Sequence, residues 1–292
     1  MKKVGLIVDE GADLTPEIIS KYEIVMVPLK VEWPAEMESI PGETIFHKMI
    51  EAEKRGMKIF CKTSQPSPKD YLEIYKKQLE KFEKLICTTV TSKLSGTYNS
   101  AVQALNFLPE EKKESVFVVD SLSAICGEGI LAMKALELIE QGQEAEEIAR
   151  QLKDFPSQIE LYAILEDPKW LEHAGRLSPV LANWIRQAAK IGVRPLIGFK
   201  NGILKAIGVM TGVKDIPEAL FKKVEAKSKK DREQGKKIKA FIVHTLNPEG
   251  AEKLKKLLVD ELGAEIVAVN LADQVVGSIV GPGALAVAWH LK

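Results

Sequence analysis

The chain is short of the residue types from which most metal and redox sites are built. Of its 292 residues, three are cysteine and four are histidine. Cys61, Cys87 and Cys126 are odd in number, far apart and set in or beside apolar segments, which reads as reduced, buried thiols and not as disulfides or metal ligands. His47, His173, His244 and His290 have no ligand spacing, so no metal and no other cofactor is expected. An excess of one charge is missing too, since 41 Lys and Arg balance 41 Asp and Glu. The field that draws a protein to nucleic acid or to an anionic membrane is therefore absent, and any anion has to be bound locally. Long apolar runs are also lacking. The opening "MKKVGLIVDEGADL" sets a few apolar residues between two lysines and Asp9 and Glu10, too few for a secretory leader or a membrane span. The expectation is a cytoplasmic protein without a stable membrane anchor. The densest charge cluster, nine Lys or Arg against three acids from Lys222 to Lys239, reads as a solvated helix and loop, with transient contact to a membrane or an acidic partner as the alternative.

What is present can build a large α/β core. Apolar residues make up 46% of the chain and charged residues 28%, the balance of a soluble globular protein of one large or two ordinary domains. Short apolar runs alternate with helical patterns: "VGLIVD", "TPEIISKY", "IVMVPLKV", "TIFHKMIEAEKRG", "KIFC", "SPKDYLEIYKKQLEKF", "KLICTTV", a helix from Thr97, "SVFVVD" and "GILAMKALELIEQG", which Gly142 closes. This alternation predicts a parallel sheet covered by helices. A charged helix then leads to Pro156 and "IELYAILE" begins a new unit, which places the domains at 1–156 and 157–292. The second domain, also α/β, has helices in "DPKWLEHAGRL" and "PVLANWIRQAAKIG", strands in "RPLIGFKNG" and "ILKAIGVM" around an Asn-Gly turn, and a final "KAFIVHTL", "EIVAVNLA" and "VVGSIVGPGALAVAWHL".

Two stretches concentrate hydroxyls where a strand gives way to a helix. "TSKLSGTYNSA", Thr91 to Ala101, follows the run "LICTTV". Ser95, Gly96 and Thr97 there offer side-chain donors, backbone N–H groups and a helix dipole at one spot, with a glycine that lets a ligand approach the main chain. "KTSQPSP" follows "KIFC" and repeats the arrangement with Thr63 and Ser64, while Ser67 reads as the N-cap of the next helix with Pro68 at its first position. Two adjacent parallel strands ending in such turns would converge at the carboxyl edge of the sheet, where open α/β folds bind ligands.

Several chemistries lack their signatures. There is no G-x-S-x-G elbow, no histidine in either turn to serve as base and no P-loop. "GEGILA" from Gly127 matches a dinucleotide fingerprint in letters only, because it starts several residues after its strand; Gly127 and Gly129 read as positions that permit close packing of the helix against the sheet, or against a ligand. A binding protein for an anion is the leading reading. An α/β enzyme acting on a small phosphate or carboxylate substrate at the same sheet edge is the alternative.

In order, and over nearly the whole chain, "VDEGADLTPE", "VPLKV", "KTSQPSP", "SKLSGTYNSA", "VVDSLSAICGEG", "AGRLSP", "VRPLIGFKNG" and "GPGALAVA" are similar to the DegV family of fatty-acid-binding proteins, also called FakB. The resemblance implies a two-domain α/β fold with a parallel-sheet N-terminal domain. It also implies one long-chain fatty acid in a tunnel between the domains, whose carboxylate is presented to a fatty acid kinase in bacteria that make one. Thr63 and Ser95 match the family's carboxylate donors, and Arg176 in "AGRLSP" matches a Gly-Arg motif near the mouth of the site. Two positions depart from the family pattern. Ile279 in "GSIVGPG" stands where many members carry a histidine, with Ser278 beside it as a substitute donor and Gly281 and Gly283 framing Pro282 in a turn; Met210 stands where an arginine is common. The first departure predicts a head-group site with no histidine signature. Elsewhere, His244 reads as a satisfied strand-end residue, and Trp170 and Trp184 read as core or tunnel wall.

Overall fold

The computed structural model describes residues 2–292. In chain order its strands are β1 (Lys2–Asp9), β2 (Val25–Val27), β3 (Lys30–Glu32), β4 (Lys62–Ser64), β5 (Phe82–Thr89), β6 (Val116–Asp120), β7 (Glu160–Ile164), β8 (Arg194–Lys200), β9 (Ile203–Met210), β10 (Ile238–His244), β11 (Glu265–Leu271) and β12 (Leu285–Leu291). The α-helices are α1 (Pro16–Tyr22), α2 (Ile45–Lys54), α3 (Pro68–Gln78), α4 (Thr97–Leu105), α5 (Glu110–Lys113), α6 (Cys126–Glu140), α7 (Ala145–Asp154), α8 (Lys169–His173), α9 (Pro179–Lys190), α10 (Ile216–Glu233), α11 (Pro248–Leu262) and α12 (Gln274–Val280). They form two compact units. Of the described residues, the first comprises 2–30, 64–159 and 200–203, and the second comprises 31–63, 160–199 and 204–292. This division is discontinuous in sequence, whereas Pro156 and the apolar run after it place a single boundary at residue 156.

The first unit is built on a parallel sheet in the order β2-β1-β5-β6. Its inner strands are apolar on both faces because both faces are covered, as parallel sheets require. Ile7, Leu85, Cys87 and Val116 pack with Tyr71 and Tyr75 of α3 and Ala101 and Ala104 of α4. Helices α6 and α7 pack on β1, β5 and β6 as well as on each other. Ser67 caps α3 as its sequence predicts: its hydroxyl accepts from Asp70 N, the Asp70 carboxylate accepts from Ser67 N, and Pro68 fills the first helical position.

The second unit carries a mixed sheet, β11-β10-β12-β7-β8-β9, in which β10 and β11 are parallel while β12 runs antiparallel to both β10 and β7. Helices α10 and α11 cover a core of Tyr162, Leu196, Ile242, Leu254, Val287 and Trp289. Met210 packs against this core. Between β8 and β9, Asn201 and Gly202 both have positive φ, 52° and 78°, the conformation an Asn-Gly hairpin turn needs.

The strands around the "KTSQPSP" stretch differ from expectation. Residues 58–61, "KIFC", are not a strand, and "IVMVPLKV" is two strands, β2 and β3, parted at Pro28, which has no N–H to give a ladder. The extended residues after "KIFC" are β4 itself, so Thr63 and Ser64 lie in a strand. β4 pairs with β3 in a two-stranded sheet and has no place in β2-β1-β5-β6, so the two hydroxyl stretches do not end adjacent parallel strands. The reason is its side chains: Lys62, Thr63 and Ser64 run exposed, half-buried, exposed, and such a strand cannot replace one that must be apolar on both faces. Cys61 is half-buried, not buried like Cys87 and Cys126. Trp170 is in the core, but Trp184 is 41% exposed on the outer side of α9 and is no core residue.

Candidate functional site

In the first unit the candidate site is the turn from β5 into α4, and its backbone is tied down by neighbouring strands. Asp9, at the end of β1, accepts from Val90 N through Oδ2 at 2.8 Å and from Gly11 N through Oδ1 at 2.8 Å. Asp120, at the end of β6, accepts from Ser92 N at 3.2 Å and from Leu122 N at 2.9 Å. Thr91 N donates to Ser123 O at 2.8 Å, and the Thr91 hydroxyl donates to Gly202 O at 3.0 Å. Above these anchors Leu94 N and Ser95 N both turn back to Thr91 O. Each such bond satisfies a main-chain group that a loop at the end of a buried sheet would otherwise orphan.

The turn presents Ser95. Its hydroxyl is half-buried, lies 2.8 Å from the buried hydroxyl of Thr97, and accepts from Thr97 N at 3.3 Å. Thr97 is wholly buried and so orients Ser95, while Ser95 is the one of the pair with access to solvent. Gly96 sits between them with φ −78° and ψ 3°, and a Cβ there would lie 2.6 Å from Nε2 of the exposed Gln65. The glycine thus makes room for Gln65. A hydroxyl donor at the N-terminus of a nine-residue helix suits a single negative charge.

Thr63, Arg176, Ser278, Ile279 and Gly281 belong to the second unit, and Ser64, exposed, to the first. In the second unit Cys61 feels both Ser278 and Arg176, and its thiol is raised overall. Burial pushes the Cys61 thiol up, while a hydrogen bond with Ser278 and the Arg176 charge pull it down. Arg176 also donates to the Ala174 carbonyl, and the buried Ser278 hydroxyl donates to Gln274 O in the previous turn of α12. Ile279 is half-buried. Phe60 stacks on His173 with centroids 3.8 Å apart and meets Trp170 edge-on at 5.2 Å. Gly281, at φ 84° and ψ 164°, lies against the Trp170 indole where a Cβ would fall inside the ring's contact distance. Thr245 donates to Gly281 O at 2.6 Å, and Gly283, at φ 87°, completes the turn.

Sequence reasoning missed Phe60, Cys61, Gln65, Asp9 and Asp120. A signal for the last two is there in the letters: β1 ends "LIVD" and β6 ends "FVVD", each an apolar run closed by an aspartate at the carboxyl edge of the sheet. His244 is a satisfied strand-end residue, since Nδ1 accepts from Asn247 N at 3.2 Å and burial holds its ring below the usual imidazole range. Among the described residues no group of three or more His, Cys, Asp or Glu is placed to hold a metal ion, and no helix is long and apolar enough to cross a membrane.

A family model described as "Uncharacterised protein, DegV family" matches residues 3–292. The chain is 32% identical over 291 residues, 96% of its length and 95% of the other's, to a "Fatty acid-binding protein" of Thermotoga maritima. It superposes with TM-score 0.74, at 28% identity and full coverage of both chains, on a Thermotoga maritima structure described as revealing fatty acid binding function. A stearic-acid-binding protein from Eubacterium ventriosum shares the fold, with TM-score 0.81 at 20% identity, 99% of this chain and 98% of that one being covered.

Proposed function

We propose, from the premise that the chain belongs to the DegV family, that it binds one long-chain fatty acid and works as a carrier and not as an enzyme. The observation that carries the reading is Ser95, a half-buried hydroxyl oriented by buried Thr97 at the N-terminus of α4, on a turn whose backbone is anchored by Asp9 and Asp120. A fatty carboxylate is a single charge, which hydroxyls and a helix N-terminus can hold without a metal. Ser95, Gly96 and Thr97 are assigned to it. Thr63, Ser64, Arg176, Ser278, Ile279 and Gly281 are proposed as further ligand contacts. Ser278 would first have to release its bond to Gln274 O in order to donate. The acyl chain supplies most of the affinity, at about 0.8 kcal/mol per buried CH₂. Handing the bound carboxylate to a fatty acid kinase, in the cytoplasm, completes the proposal.

The test is organic extraction of the purified chain followed by mass spectrometry. The expected result is roughly one fatty acid per chain, with a tail long enough for the per-CH₂ term to outweigh the cost of ordering it. Extracts free of fatty acid, or containing a small phosphate or carboxylate metabolite instead, would overturn the reading in favour of an enzyme at the same turn.

A further inference from the structure

Beneath the Ser95 turn the first unit collects acids. Asp9 ends β1, Asp13 follows the 3-10 turn Glu10–Ala12, Asp120 ends β6, and Glu128 lies in the first turn of α6. Asp9 and Asp120 spend their oxygens on the backbone N–H groups already described. Glu128 differs from them. It is wholly buried, and neither carboxyl oxygen meets an N–H or O–H donor. Asp9 is close by, because both carboxyls border Gly11: a Cβ built there would lie 2.8 Å from Asp9 Oδ1 and 3.7 Å from Glu128 Oε2. The approach is enforced by the chain, because Ile125, the residue before α6, takes φ 54° and ψ −137° and donates its N–H to Gly11 O at 2.8 Å.

An ionised carboxylate out of water, beside a second carboxylate and without a donor, costs far more than taking up a proton. The N-terminus of α6 favours an anion, but too weakly to offset burial among acids. With no donor in reach the neutral acid is the stable form, and it has one O–H of its own to give. We propose that Glu128 is held protonated and donates its O–H to the Asp9 carboxylate, which makes it a positioning residue for the Val90–Ser95 turn. The shared proton orients Asp9, Asp9 holds Val90 N, and the presentation of Ser95 follows. It also removes one negative charge from under a turn assigned to a carboxylate, a consequence that rests on the fatty-acid reading, as the protonation does not.

The electrostatics agree. Burial, then Asp9, Asp13 and Asp120, push the Glu128 carboxyl well above the usual carboxylate range. The other titratable groups facing it are neutral at working pH, burial raising Cys87 to about 12 and Tyr71 further. Helix α7, which also packs on α6, buries Ala145, Ile148, Ala149 and Leu152 and brings no charge. A carboxyl raised in the folded state makes the folded chain bind more protons than the unfolded one, so its contribution to stability is full at low pH and is lost as pH rises above the ordinary carboxylate value.

The test uses the full chain. With ¹³C-labelled glutamate carboxyls, the resonance that disappears in Glu128→Gln should keep its protonated position from pH 5 to 8 in wild type, and a carboxylate position there would overturn the proposal. Glu128→Gln keeps an N–H donor and removes the titration. The unfolding constant of wild type relative to this variant should therefore rise up to tenfold per pH unit across that range, and a flat ratio would overturn the shared proton. Palmitate affinity should be retained within about twofold in Glu128→Gln and fall at least fivefold in Glu128→Ala and Asp9→Asn. Unchanged affinity in the latter two would overturn the positioning role. If Glu128→Ala does not fold, Asp9→Asn decides that point. If wild type itself fails to bind palmitate, the fatty-acid reading falls while the titrations still decide the acid pair.

Discussion

The turn after β5 and the stretch through β4 are written in the same alphabet, hydroxyls next to a basic residue after an apolar run, yet they are held in opposite ways. The β5 turn stands at the end of a strand buried along nearly its whole length, and carboxylates from the strands on either side take its N–H groups. β4 is three residues of a two-stranded sheet, with Ser64 exposed and Thr63 half-buried. A hydroxyl becomes a precise donor when buried anchors fix its backbone. The same group on a short exposed strand is oriented only by what binds it.

Breaking the anchors should therefore matter more than altering the hydroxyls. The largest loss of stability lies outside both stretches, at Gly281→Ala in the second unit, about 4 kcal/mol by urea denaturation. A side chain at φ 84° and ψ 164° is strained in its own right, and its Cβ would enter the Trp170 ring. Asp9→Ala should follow at about 3 kcal/mol, because Val90 N and Gly11 N lose their acceptor in a buried place; a loss below about 1 kcal/mol would show that water replaces the carboxylate and the turn is not anchored from β1.

Ser95→Ala should weaken fatty-acid binding, measured with a tail-matched ligand, by about 1.5 kcal/mol and cost about 1 kcal/mol of stability, because the buried Thr97 hydroxyl loses its partner. Ser64→Ala should leave stability within about 0.5 kcal/mol and weaken binding by only about 0.5 kcal/mol, because no buried anchor orients this contact; a loss as large as that of Ser95→Ala would erase the contrast between the two stretches. Gly96→Ala tests the turn more gently. Its backbone angles suit alanine and the group in the way is the end of the exposed Gln65 side chain, so the cost should stay below about 1 kcal/mol, in contrast with Gly281→Ala. The smallest effect is one of pH. With Ile279 in place of a ring donor, affinity corrected for the ligand's own ionisation should be nearly flat from about pH 5.5 to 8, and Ile279→His should make binding tighten as the new ring protonates near its ordinary value of about 6.5. If wild-type affinity rises several-fold on acidification, His173, stacked on Phe60 next to Cys61, is the ring to replace first, ahead of His244, whose Nδ1 is already occupied by Asn247 N.

Much of this protein was legible in its sequence, because it depends on neighbours in the chain. Apolar runs such as "LICTT" mark strands buried on both faces, the Ser67–Pro68 pair starts a helix, and Asn201–Gly202 makes a hairpin turn, each through local backbone chemistry. Ser95, Gly96 and Thr97 could be placed at a helix start for the same reason. The sheet that β4 joins was not legible, since pairing depends on which distant strand offers a free edge. Nor was the work of Asp9, Asp120 and Glu128. Residues 9, 90, 120 and 128 come together only when parallel strands carry the chain back to one edge of the sheet, and the protonation of a carboxyl is set there by the water and donors that folding removes, which no stretch of sequence displays.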